Sequence, residues 1–366
     1  MQQKYVRSFP SGFFPGMMRF LVLALAVVLS AGVASAQTLA YVADGTNNAV
    51  LVYDASTHAL VATVPVGIAP GASAATPNQA FVYVTNYSSA NVSVIATATG
   101  SVVATVPVGI RPRGIAVTPD GAFVYVANEF SSSVSVIATA SNTVVATIPL
   151  GLSPSGVAVT PDGSSVYVGN QVDFKVSVIA TATNMVTTEI FSVTSPLDVE
   201  ITPDGAFGYV ASGPFSGDVR VFSTASNTVV ATLPGSGAYD LAITPDGAFA
   251  YVATRLAGVK VVNTATNTVS TTIPSFGIER VRITPDGAFA WLSAGANGFI
   301  NIYATATNTY DSTIFVAGAP GSIVFVTPPP PGPSSKDQCK NGGWQTFTNP
   351  SFANQGDCIK YVNHLP

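Results

Sequence analysis

Side chains able to do chemistry are few in this chain and unevenly placed. Downstream of residue 36 there are 29 charged residues, and eight of them fall in seven short windows spaced about 42 residues apart: Arg111, Arg113, Asp198, Glu200, Asp240, Glu279, Arg280 and Arg282. Tyr239 lies in the same windows. A pair of carboxylates such as Asp198 and Asp240 could hold a small polar ligand or a metal ion. Equally, Arg280 and Arg282 could do no more than neutralise those carboxylates. Other catalytic sets are missing. The only histidines are His58 and His364, so no metal or haem constellation can be assembled and no His base serves a nucleophile. No Ser or Thr stands in a nucleophile elbow. The sequence therefore predicts no cofactor, no metal and no catalytic residue.

The elements that must position these charges can be read from an internal repeat, which is the first thing to seek in a sequence. Thr-Pro pairs begin at Thr76, Thr118, Thr160, Thr202, Thr244 and Thr284, at separations of 42, 42, 42, 42 and 40 residues. Five continue as Asp-Gly (Asp120, Asp162, Asp204, Asp246, Asp286), and the first as Asn78-Gln79. One aromatic position recurs as Tyr41, Tyr83, Tyr125, Tyr167, Tyr209, Tyr251 and Trp291, which gives seven units.

A single unit, Arg113 to Gly151, divides into four β-rich runs. These are A (Gly114 to Val117), B (Phe123 to Ala127), C (Val134 to Ala138) and D (Val144 to Ile148). Thr-Pro-Asp-Gly joins A to B as a tight turn: Pro presets φ, Asp accepts local backbone hydrogen bonds and Gly takes positive φ. That role accounts for the recurring Asp without any catalytic one. Run B is apolar on both faces, which a lone sheet cannot bury but radially stacked sheets can. The predicted fold is all-β, a seven-bladed β-propeller of four-stranded antiparallel blades. The chain enters at Thr38 to Gly45 with a B run and no A, and ends the array with an A run, Gly321 to Pro328, and no B. The C-terminal inner strand is thus expected to complete the first blade. Pro65, Pro107, Pro149, Pro234 and Pro274, in or just after D runs, mark D as the exposed outer edge. The A runs would then line the central channel and present the charged residues at its mouth.

The N-terminus reads as an export signal. Lys4, Arg7 and Arg19 precede the apolar run Phe20 to Leu29, and Ala34-Ser35-Ala36 is an A-x-A cleavage site. The apolar run falls short of the ~20 residues a membrane span needs, so no transmembrane anchor is expected after cleavage at Ala36. Removal of the signal leaves 11 basic against 18 acidic residues, a net charge of −7. No basic stripe for nucleic acid is present. Cys339 and Cys358, the only cysteines, are expected to form a disulfide in an exported chain. The predicted organisation is a signal peptide (1–36), a propeller (37–327), a Pro-rich linker (328–335) and a Cys/aromatic tail (336–366). Trp344, Phe347, Phe352 and Tyr361 are expected to surround the disulfide.

The repeated "TPDGAFVYVAN" and its variant "FVYVTN" at Phe81 to Asn86 resemble the YVTN family of β-propellers over residues 38–327. Tyr-Val-Ala-Ser at 209–212, Tyr-Val-Ala-Thr at 251–254 and Trp-Leu-Ser-Ala at 291–294 depart from that pattern. The resemblance implies seven blades and a secreted, periplasmic or cell-surface location, since the family includes exported and surface-layer proteins. Broader relatives include lactonase-like enzymes, a single-stranded-DNA binder and redox-enzyme subunits, so the fold alone does not choose a function. Two expectations stand. One is an exported scaffold that binds a protein, a glycan or a small polar ligand without catalysis. The other is a lactonase-like or other metal-assisted hydrolase using the channel carboxylates.

Overall fold

Local chemistry fixes the turn between the A and B strands in the second to seventh blades. In the third blade the Thr118 amide donates to Phe123 O (2.9 Å), and the Gly121 amide donates to Thr118 O (2.8 Å). Asp120 accepts from the Ala122 amide at 2.9 Å and from the Thr118 hydroxyl, while Gly121 takes a φ of 72°. The Thr118 hydroxyl, with the Ala122 amide, holds the Asp120 carboxyl below its ordinary range. Four other repeats use Thr-Pro-Asp-Gly in the same way, and in the second blade Gln79 takes the left-handed position instead (φ 61°).

The computed structural model describes residues 37–191, 193–213, 217–234, 237–328, 336–340, 342, 345 and 353–363. These form seven four-stranded antiparallel sheets, each in the order A–B–C–D from the axis outward. In the third blade the strands are Pro112–Val117, Phe123–Asn128, Ser133–Ala138 and Thr143–Pro149. Every C–D pairing carries a bulge, which twists the outer strand. The first blade is closed by the C-terminal strand Pro320–Val326, which pairs with Leu39–Asp44. In that pairing Val324 lies opposite Tyr41, as Ala74 lies opposite Tyr83. Val326, not Thr327, therefore stands where the other blades have the Thr of Thr-Pro.

The core consists of seven layers, each between two neighbouring blades. Tyr83, Val92 and Val94 of the second blade, for example, pack on Ile115, Val124 and Ile137 of the third. The recurring tyrosines stitch these layers together. Tyr83, Tyr125, Tyr167, Tyr209 and Tyr251 each donate a phenolic hydrogen bond of 2.6–2.8 Å to an Asn in the C–D turn of the next blade. Those acceptors, Asn142, Asn184, Asn227, Asn267 and Asn308, have φ between 53° and 54°, a conformation Asn tolerates better than most residues. At the ring closure the pair is replaced by Trp291 set edge-on to His58, with ring centroids 5.6 Å apart.

The asparagine that ends the B strand has a role inside its own blade. Asn86, Asn128 and Asn170 are buried and donate to Ser93, Ser135 and Ser177 of the C strand at 2.9–3.0 Å. Gly67 and Gly109 leave the room beside Asn86 and Asn128: a Cβ at either would come within 2.6 Å of the amide. The tail contains the expected Cys339–Cys358 disulfide and a helix, Gln355–Asn363, for which no expectation was made. The expected signal sequence (1–36), linker residues 329–335, Trp344, Phe347, Phe352, His364 and the Tyr361 side chain lie outside the described residues. Among the described residues no helix is long and apolar enough to cross a membrane.

Candidate functional site

The seven A strands converge on the axis, where their outward-turned backbone amides meet the next blade rather than a further strand. Side chains at one ring position meet that need. Asp198 Oδ2 accepts from the Leu241 amide (3.2 Å), Asp240 Oδ2 from the Val281 amide (2.8 Å), and Ser322 Oγ from the Ser73 amide (3.2 Å). In the third and fourth blades the same position is Gly114 and Gly156, and there the neighbouring backbone comes closer instead. A Cβ on Gly156 would sit 2.6 Å from Asp198 Cα, and one on Gly114 would sit 2.0 Å from Ser155 O.

Arg282, two residues further along the seventh A strand than Arg280, reaches back to Asp240. Its Nη1 donates to Asp240 Oδ2 at 2.8 Å and to Val281 O at 2.6 Å. Arg280 Nη1 is 3.8 Å from the other Asp240 oxygen. Asp240, 2% exposed, is thus fully engaged by an amide and a guanidinium. Asp198 and Glu200 lie deep in the protein while bordering the narrow bore. Burial, and next the Asp240 charge, push the Asp198 carboxyl well above its ordinary range against the pull of Arg282 and Arg280. Burial pushes Glu200 up to about 7, opposed by Arg282 and assisted by Asp240. Burial works against the charge on Arg282, but Asp240, Asp198 and Glu200 together outweigh it and hold the guanidinium above its ordinary range.

Asp198 and Arg282 form a waist, since both border the spaces above and below. Toward the start of the A strands lies a recess of ≈ 40 Å³, bordered by Arg113, Arg280, Asp240, Ser155 and Ser322. Arg113 pairs with Glu129 at 3.4 Å, and burial together with the nearby Arg280 charge lowers its pKa. Toward the Thr-Pro-Asp-Gly turns the bore widens into a vestibule of ≈ 360 Å³ whose walls are mostly Ala, Val and Ile.

The nine residues singled out in the sequence therefore separate. Arg113, Asp198, Asp240, Arg280 and Arg282 meet around the recess, and Glu200 faces the vestibule. Arg111 is at the exposed rim, with its guanidinium 5.4 Å from the Tyr87 ring and 5.1 Å from the Phe130 ring. Tyr239 and Glu279 do not border either space. Arg255 draws both aside, stacking on Tyr239 at 5.6 Å and pairing with Glu279 at 3.1 Å. Among the described residues no group of three or more His, Cys, Asp or Glu is arranged to hold a metal ion.

The family model described as YNCE-like beta-propeller matches residues 29–163, and the one described as Lactonase, 7-bladed beta-propeller matches residues 98–230. The chain is a seven-bladed β-propeller with YVTN-type repeats. No curated protein matches it. Several solved structures are similar to this propeller. Hydrazine synthase of Kuenenia stuttgartiensis aligns at 23% identity and a TM-score of 0.64, covering 69% of this chain and 88% of that one. A functionally unknown protein from Desulfotomaculum acetoxidans aligns at 19% identity and 0.69, covering 79% and 98%. A putative 6-phosphogluconolactonase from Bacteroides uniformis aligns at 20% identity and 0.66, covering 79% and 100%. At these identities the likeness is one of fold.

Sequence reasoning missed Glu129, Arg255 and Ser322 as members of the propeller's polar centre. Glu129 and Arg255 occupy B–C turns, immediately after the strand-ending positions Asn128 and Thr254. That placement is the signal that could have found them, because B–C turns border the same mouth as the start of the A strands.

Proposed function

We propose that this propeller is an exported, non-catalytic binding scaffold, and that its ligand places an anionic group in the recess between Arg113 and Arg280. One observation carries the reading: Arg113 and Arg280 both border the recess and each bonds through Nη1 alone, whereas Asp240 is engaged by an amide and a guanidinium and Asp198 accepts one amide. Asp198 is held by the Leu241 amide, and Asp240 by the Val281 amide and Arg282. A recess of ≈ 40 Å³ exceeds the ~10–15 Å³ a water needs and suits the head of a carboxylate or phosphate, with the rest of the ligand outside. Arg supplies directional, charge-assisted bonds to such groups. Export is supported by the N-terminal signal pattern and by the Cys339–Cys358 disulfide, which persists in oxidising compartments. It predicts that protein recovered from outside the cytoplasm begins at Gln37.

The test is calorimetric titration with citrate, gluconate and inorganic phosphate at low salt. At least one should bind saturably, weaken as salt rises, and lose about tenfold or more in the Arg113→Gln/Arg280→Gln double variant. Failure of all three to bind, or binding indifferent to the double variant, removes the reading.

A second reading, lactone hydrolysis, is favoured by the lactonase match over 98–230 and by Glu200. A carboxyl pushed up to about 7 is suited to general-base work near neutral pH. It predicts turnover of a δ- or γ-lactone that disappears in Glu200→Gln, and no turnover across a lactone panel would exclude it.

A further inference from the structure

The vestibule below the waist is built differently from the mouth. Its ring of bore-facing positions, set by their pairing with the aromatic position of each B strand, is Val324, Ala74, Ala116, Ala158, Glu200, Ala242 and Arg282. Five of the seven are small and apolar, and the two polar ones flank Ala242. Val117, Val159 and Ile201 continue the apolar wall toward the open end. At ≈ 360 Å³ the space falls in the range of pockets that enclose small organic ligands, about 300–1,000 Å³.

The two polar side chains are incompletely used. Among the described residues Glu200 has no hydrogen bond or close ion pair, although Arg282 and Asp240 act on it through space. All hydrogen bonds of Arg282 run from Nη1, so Nη2 remains available. A pair consisting of one acceptor and one donor, on the fifth and seventh blades at the same height with only the small Ala242 between them, matches a group that donates and accepts side by side. An amide is such a group: its carbonyl oxygen accepts from Arg282 and its N–H donates to Glu200. Charge disfavours the alternatives. An anion would stand beside Glu200 with Arg282 as its single cationic neighbour in the vestibule lining, where the recess has Arg113 and Arg280 as well, and a cation would stand beside Arg282, in a bore where burial magnifies like-charge repulsion.

We propose that the vestibule is a second binding site, independent of the mouth, for a small uncharged ligand with a hydrocarbon body and an amide head held between Glu200 and Arg282. The probe is hexanamide, compared with hexanoate and hexylamine, titrated into protein carrying labelled alanine methyls. Hexanamide should shift the Ala116 and Ala158 methyl resonances saturably, and hexanoate and hexylamine should bind at least tenfold more weakly. Glu200→Ala should weaken hexanamide about tenfold, the worth of one buried hydrogen bond. Ala116→Leu, which fills the vestibule without adding bulk to a packed core, should abolish binding. Equal affinity for the three probes, unshifted alanine methyls, or full affinity in Glu200→Ala would each overturn the proposal.

Discussion

Replacing Glu200 with Gln should make the propeller more stable at alkaline pH and leave it almost unchanged near pH 4.5. Glu200 keeps its proton up to about 7 in the folded protein, against an ordinary value of 4.5. In the unfolded chain the proton is lost near that ordinary value, so between 4.5 and 7 the folded state binds more protons than the unfolded state. Stability contributed by the neutral carboxyl is therefore fully present below 4.5 and is lost as the pH rises through 7. The interval corresponds to about 3 kcal/mol at most, and solvent in the bore reduces it to about 2 kcal/mol. Gln keeps the shape and removes the titration. Loss of attraction to Arg282 works in the opposite direction, but burial is the largest influence on Glu200 and the upward displacement is what remains after Arg282 has acted. Urea midpoints of both proteins at pH 5, 6, 7 and 8 provide the assay. The two profiles should differ by only about 0.5 kcal/mol at pH 5 and separate to about 2 kcal/mol at pH 8, with the variant higher. Parallel profiles, or a variant weaker at pH 8, would refute the argument that burial dominates at Glu200.

Tyr167→Phe deletes the 2.8 Å hydrogen bond to Asn227 in the next blade and should cost about 1 kcal/mol, read as a lower urea midpoint with an unchanged slope. Gly156→Ala places a Cβ 2.6 Å from Asp198 Cα, a backbone atom that cannot rotate away. It should cost about 1–3 kcal/mol in thermal unfolding, where an equal substitution at the turn residue Gly45, whose Cβ would meet nothing nearer than Pro70 O at 3.7 Å, should lose far less. Asp240→Ala leaves the Val281 amide and the Arg282 guanidinium without their buried partner, and about 3–5 kcal/mol should disappear from the unfolding free energy. A melting temperature equal to wild type in that variant would show that the Asp240 contacts do not hold the sixth and seventh blades together.

The repeat and most of the local structure it dictates are legible in the sequence without any coordinates. Thr-Pro-Asp-Gly specifies its turn because the bonds that close it lie within six residues, as Thr118 to Phe123 shows. Double-sided apolar B runs required stacked blades, and the unmatched runs at Thr38 and Gly321 required closure of the first blade by the last strand. The position of the charges in the inner strands was also legible, since the period sets it. Which of those charges meet depends instead on the packing of blade against blade. Asp198 and Leu241, Asp240 and Arg282, and Tyr167 and Asn227 are 42 to 60 residues apart, each pair on adjoining blades. Their contacts depend on the rotation between blades and on the irregular pairing at the start of the A strands, between Pro196 and Asp198 and between Ala238 and Asp240. A 42-residue period carries no information about either. For the same reason Tyr239 and Glu279, which share a ring position with Arg113, turn toward Arg255 on the B–C turn and leave the mouth to the arginines.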